Sequence, residues 1–246
     1  MATKPQKRTG FSQGIYSQSS TRKEEIGTLR VLRDGRKFRY ARAGAGALGA
    51  GKVNVAAASV AEVIDENCAS NHAIGDFIIE ETITAGVAYV EDQYAGGFFQ
   101  VTDATGEGHM YEITSSSAGS AAATTIILTL ANPIRVALVK TTTQFSLVQN
   151  PQMNVVQTDV EENMATGIAP IAVTIGYYFW NQTGGVATAL GSDTSAIGTA
   201  LVIGATAGAV KAIPTPLDID MVFSLGVVFG TAMVVGEYTQ IFMTLD

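Results

Sequence analysis

The sequence predicts a mainly β protein: a compact antiparallel β-sandwich or barrel body with an extended N-terminal arm and at most one or two short helices. Three observations predict it. Only 15% of residues are charged, against roughly 25% in ordinary soluble domains. The 26 glycines separate short runs rich in Val, Ile, Thr, Tyr and Phe, the composition of strands joined by tight turns. Charge is also divided unevenly. Twelve of the fifteen Lys and Arg residues lie at or before Lys52 with three acids, a balance of +9, while the remainder carries -16.

A chain of 246 residues is long enough to bury a core as one large domain or two small ones. The arm comes first. Residues 1–25 are polar, with little to bury, and are expected to be disordered until a partner orders them. Arg30, Arg33, Arg36, Lys37, Arg39 and Arg42 then interleave with Phe38 and Tyr40, mixing charge with apolar anchors as a partner-binding strip would. A solvated edge strand protected by its charges is the plainer reading. Nucleic acid is disfavoured as a partner because the acidic body would repel it.

"GAGALGAGKV", Gly44–Val53, nearly completes a phosphate-binding loop. That motif ends in Ser or Thr to ligate magnesium, and its Lys opens a helix after a buried strand. Val53 offers no oxygen, and the preceding "RKFRYARA" is too charged for a central parallel strand. The expectation is a Gly-rich joint between arm and body.

Beyond the joint, "SVAEVIDEN" has Ser59 and Glu62 at capping-box spacing and predicts a short helix. Strands are then predicted at "DFIIEETI", "GGFFQVT", "HMYEITS", "TTIILTLA" and "TTTQFSLVQ", with "QVTDATGEGHMYEI" as a hairpin. Further on, "APIAVTIGYYFWNQTGGVATAL" predicts two strands turning at "QTGG", and "SLGVVFGTAMVVGEYTQIFMTLD" two more turning at "VGEY". Divisions are expected at 1–52, 53–158 and 159–246, the second beside "TDVEEN". No repeat of fixed period is visible. Of Tyr177, Tyr178, Phe179 and Trp180, alternating strand geometry lets at most two share a face, so core and interface roles are expected before a carbohydrate platform.

Catalytic material is thin. His72 and His109 are the sole histidines and Cys68 the sole cysteine, which makes no zinc pattern and no internal disulfide. Ser70 and Asp76 flank His72 in sequence, but proximity alone defines no triad. The expectation is a protein without catalysis, cofactor or metal. The apolar run Met221–Gly236 is shorter than a spanning helix and broken by glycine, so no membrane partner is expected.

Several phrases carry a family resemblance. "GTLRVLRDGRKFRYARAGAGALGAGK", "GGFFQVTDATGEGHMYEI", "LTLANPIRVAL", "LVQNPQMNVV", "TIGYYFWNQTGGVATAL" and "GTAMVVGEYTQIFMTLD" resemble, in order, structural proteins of tailed bacteriophages, and the chain is similar to capsid decoration (cement) proteins. The resemblance implies a mostly β body, the major capsid protein as partner, homotrimers around symmetry axes, and a place on the virion exterior after synthesis in the host cytoplasm. It casts Arg30, Arg33, Arg36, Lys37, Phe38, Arg39, Tyr40 and Arg42 as contacts to coat or to a neighbouring copy. The alternatives are a head-fibre or tail component, and a glycan- or host-binding module.

Overall fold

From Leu29 onward the chain forms a succession of short antiparallel strands, as its β-branched and aromatic runs between glycines require. The computed structural model describes residues 10–84, 86, 88–122, 125–160, 163–213 and 224–246. The first nine residues of the predicted arm, residues 161–162 of the expected boundary and residues 221–223 of the apolar run lie outside these. Two compact units form: an inserted unit, Ala57–Met153, and an outer unit built from Met1–Ala56 together with Asn154–Asp246. The chain passes from one unit to the other at Ala57 and back at Asn154. That the first and last segments fold as one unit has no local signal, because it depends on pairing between strands far apart in sequence.

The outer unit carries a nine-stranded sheet. Its main path runs β1 (Leu29–Val31), β2 (Lys37–Arg42), β11 (Tyr178–Leu190), β15 (Tyr238–Thr244), β14 (Gly226–Val228), β12 (Ala200–Ile203) and β13 (Val210–Ala212). Off this path, β10 (Ala165–Ala169) pairs with both β11 and β3 (Lys52–Val55). The hairpin expected at "QTGG" is instead a single strand of thirteen residues. Strand β11 follows β2 from Tyr178 to Gly184, with a register shift between Gln182 and Gly184, and from Gly184 onward pairs with β15. Gly185 takes φ 79, and a Cβ there would stand 3.1 Å from Arg36 backbone. The glycines therefore bend a strand that changes partners, which is the role of a bulge and not of a turn. The strands expected around "VGEY" do pair, as β14 and β15, through a connection longer than those four residues.

The inserted unit is a six-stranded sheet ordered β4 (Glu66–Asn67), β9 (Gln144–Val148), β6 (Phe98–Asp103), β7 (Met110–Ser116), β8 (Thr125–Leu130), β5 (Ile78–Thr82). The five strands predicted here all form, including the β6–β7 hairpin. The sheet curls until its two edges nearly meet: Thr84 Oγ1, just past β5, donates to Glu66 Oε1 of β4 at 2.7 Å. Inward positions alternate along β5, β6, β7 and β8, and the interior is filled by Ile79, Tyr111, Ile113, Leu128 and the stacked rings of Phe99 and Phe145, 4.9 Å apart. The predicted helix is reduced to a 3₁₀ turn, Ala61–Val63, preceded by Val60 without a side-chain cap. The capping box fails because the N-cap position falls on Val60, one residue past Ser59, and a Val side chain has no oxygen to offer.

One local device, here called a clasp, recurs in both units. Leu48 pairs with Val173, His72 with Leu138 and Ser195 with Met233, each as an isolated antiparallel bridge with both N–H···O bonds made. Three residues after each of these six, the backbone turns through positive φ, at Gly51, Gly176, Gly75, Thr141, Gly198 and Gly236. That residue's N–H then donates to the opposite loop, as Gly51 does to Ala169 and Thr141 to Cys68. Tyr89 and Gly119 form a fourth bridge, with positive φ at Asp92. In sequence the device reads "LGAGKV", "HAIGDF", "VTIGYY", "SAIGTA" and "MVVGEY". Its copies are irregularly spaced, so it escapes a search for fixed period. The Gly44–Val53 stretch is thus neither a phosphate loop nor a loose joint: Gly51 is a clasp glycine, Lys52 opens strand β3, and Val53 is buried.

Candidate interaction sites

Most of the basic strip is engaged within the outer unit, its apolar residues buried and all its charged residues but Arg33 half-buried. Strand β2 alternates, so Phe38 and Tyr40 face inward with no exposed surface. This corrects their expected role as partner anchors: β2 lies between β1 and β11 in the sheet, and its apolar face belongs to this chain's core. Lys37 Nζ donates to the Asp246 main-chain oxygen at 2.8 Å, and Arg39 makes a bidentate pair with the Asp246 carboxylate at 2.6 and 2.8 Å. Burial alone would raise the Asp246 pKa, but the hydrogen bonds from Arg39 and the nearby charges of Arg39 and Lys37 outweigh it and hold the carboxyl below its usual value. Arg36 bonds Asp34 at 2.8 Å and the Tyr16 hydroxyl at 3.0 Å. Arg42 donates to the side chain of Asn154 and lies over the Tyr178 ring. Arg33 is exposed.

The predicted disorder of the arm is also corrected for residues 10–25, which pack on the chain itself. Phe11 meets Trp180 edge-on at 5.0 Å, and Arg30 lies 4.8 Å above Phe11 and 5.4 Å above Trp180. Gln13 is the pin. Its main-chain oxygen accepts from Trp180 Nε1 at 3.0 Å and Arg30 Nη1 at 2.8 Å. Its side chain accepts from the Tyr40 hydroxyl at 2.7 Å and donates to the Ser17 and Tyr178 carbonyls. Burial pushes the Tyr40 hydroxyl up to about 12. Composition suggested disorder because polarity was counted residue by residue; the segment is held by one aromatic ring and by satisfied polar groups, which composition does not register.

In the inserted unit, His72 meets Glu81, with Nε2 and Oε1 2.6 Å apart and both side chains buried. The other carboxylate oxygen accepts from the Ala69 N–H at 2.6 Å. Burial, reinforced by Glu81, pushes the Cys68 thiol up, which disfavours the nucleophilic thiolate. The sequence neighbour Asp76 caps Ala73 instead. Histidine, carboxylate and thiol therefore brace a clasp. Among the described residues no group of three His, Cys, Asp or Glu is placed to hold a metal ion, and no helix is long and apolar enough to cross a membrane.

What sequence reasoning missed is the clasp tip. The residue just before the clasp glycine is apolar and exposed at four copies: Ile74 at 68%, Ile175 at 55%, Ile197 at 60% and Val235 at 59%. Ala50 and Lys140 hold the same position in other copies, so the turn itself does not demand a large apolar residue. At the His72 clasp, exposed Phe77 and Ile78 extend the tip. The signal was the recurring "[I/V]G" before a strand.

The outer unit also has an open groove of about 520 Å³, whose lining includes Tyr16 and Arg36 together with Thr188, Tyr238 and Gln240 from paired strands. Phe179 and Trp180 are fully buried, which is the core role expected for the aromatic run ahead of a carbohydrate platform. No known protein family, curated protein or solved structure matches the chain.

Proposed function

We propose that the chain is a non-catalytic structural subunit, a decoration protein that binds the outside of a phage capsid and ties neighbouring major coat subunits together, its copies grouped as trimers around a symmetry axis. The observation that supports this reading is the exposed apolar tip of Ile74, Phe77 and Ile78 on a clasp fixed by the His72–Leu138 bridge, the Gly75-to-Ile134 bond and the buried His72–Glu81 pair. Large apolar side chains on a preorganised turn fill a partner's groove with little ordering entropy left to lose. Ile175, Ile197 and Val235 repeat the arrangement in the outer unit, and many weak contacts per subunit suit a shell. A subunit that prefers the expanded shell stabilises that state through its differential affinity. The phrase-by-phrase resemblance to phage decoration proteins points the same way.

The test is the copy number of this chain relative to the major coat protein in purified particles, measured by quantitative mass spectrometry. A simple fraction set by capsid symmetry is expected. A handful of copies would move the chain to a fibre or tail part, and absence from particles would overturn the reading. Phe77→Ser with Ile78→Ser is expected to lower occupancy on particles while the variant stays folded.

A further inference from the structure

We infer that the groove of the outer unit binds an oligosaccharide. This goes beyond the capsid reading and does not depend on it. The volume of about 520 Å³ lies in the range of small-ligand sites, which combine apolar walls with a few placed polar groups. Two tyrosines, Tyr16 at 62% and Tyr238 at 55% exposure, line it with their rings available. A pyranose presents C–H groups on its faces, which pack against aromatic rings, while its hydroxyls need neutral donors and acceptors at the ring edge.

Those partners are present. Thr188 and Gln240 are opposite each other on the exposed faces of β11 and β15 and line the groove, and neither their side chains nor the Tyr238 hydroxyl is taken up by a hydrogen bond among the described residues. Arg36 is aimed by Asp34 at 2.8 Å and by the Tyr16 hydroxyl at 3.0 Å, which leaves Nη2 to reach a sugar hydroxyl or carboxylate. The lining contains no carboxylate. Hydrolysis of a glycosidic bond normally needs two, so the site is built to hold a glycan and not to cleave it. Gly51 completes the wall: a Cβ there would stand 2.7 Å from the Tyr238 ring, so the ring's position depends on this clasp residue having no side chain.

The test is a printed array of bacterial capsular polysaccharides, lipopolysaccharide O-chains and chito-oligosaccharides, followed by titration calorimetry with the best-retained glycan. The intact chain is expected to retain at least one class. Tyr16→Ala and Gln240→Ala, both at exposed positions that leave the core untouched, are each expected to weaken binding by about tenfold, equivalent to about 1.4 kcal/mol, with unchanged thermal unfolding. Tyr238→Ala is expected to weaken it further. Failure to retain any glycan, or retention that Tyr16→Ala and Gln240→Ala leave at the wild-type level, would overturn the inference.

Discussion

The inserted and outer units share the clasp but close their interiors differently. In the inserted unit the sheet curls until β4 and β5 nearly meet at Thr84 and Glu66, and the His72–Glu81 pair locks a clasp from within. In the outer unit the aromatic cluster of Tyr40 and Trp180 is covered by Phe11 and Gln13, which come from the chain's own N-terminal segment. One unit is completed by its own strands and the loops that join them, whereas the other needs a polar segment that forms almost no regular structure.

Matched core truncations should separate the two most sharply. Trp180→Ala and Phe99→Ala each remove a fully buried ring and are each expected to cost about 3–5 kcal/mol in denaturant unfolding. Trp180→Ala alone also removes the surface on which Phe11 and Gln13 rest. Limited proteolysis should then cut within residues 10–24 of Trp180→Ala and leave that segment intact in Phe99→Ala. Equal cutting in both would break the distinction.

The next effect belongs to the inserted unit. His72→Leu leaves the Glu81 carboxylate buried without its partner, and losing one member of a buried pair is expected to cost about 3 kcal/mol. Replacing both with Leu removes the stranded charge, and most of that loss should return. If the double variant were as unstable as the single, the pair would owe its value to shape and not to charge compensation.

Alkaline unfolding probes both units at once. Burial pushes Tyr40, in the outer unit, and Tyr94, in the inserted one, up to about 12, while an unfolded tyrosine ionises near 10. Between these values the unfolded chain loses the proton first. Stability is therefore full below about pH 10 and falls as pH rises towards 12, by about 1.4 kcal/mol per pH unit for each tyrosine at most. Tyr40→Phe and Tyr94→Phe should each flatten the slope of stability against pH. Tyr40→Phe also gives up the bond to Gln13, so it alone should lower stability at neutral pH.

The sequence disclosed the strands of the inserted unit because each is a short β-branched run between turn residues, and a hairpin is a local event. It misled at "QTGG", where glycines that usually mark turns sit in a strand changing partners. It misled again at the basic strip. A run such as "KFRYAR" does not reveal that Phe38 and Tyr40 face a core supplied by β11, which begins at Tyr178. Of the groove, Tyr16 and Tyr238 were visible as residues but their convergence was not, because it depends on pairings spanning almost the whole chain. The clasp tips could have been found from sequence by aligning every "[I/V]G" that precedes a strand, without requiring a period.

The smallest predicted effect tests whether the clasps are equivalent. At the same position of the turn, Gly198 has φ 84 and Thr141 has φ 60. A Cβ at Gly198 would meet nothing within 4 Å, so Gly198→Ala should cost only the left-handed backbone penalty, about 1 kcal/mol. Thr141 already bears that penalty, increased by its β-branch. Thr141→Gly should therefore stabilise the inserted unit by several tenths to about 1 kcal/mol, set against the entropy glycine adds to the unfolded chain. Opposite signs at Gly198 and Thr141, measured by thermal unfolding, would establish one conformational requirement behind both. If Thr141→Gly destabilised, its side chain would be contributing something that the turn geometry does not account for, with the bond from its hydroxyl to the Lys140 carbonyl at 2.7 Å as the first suspect.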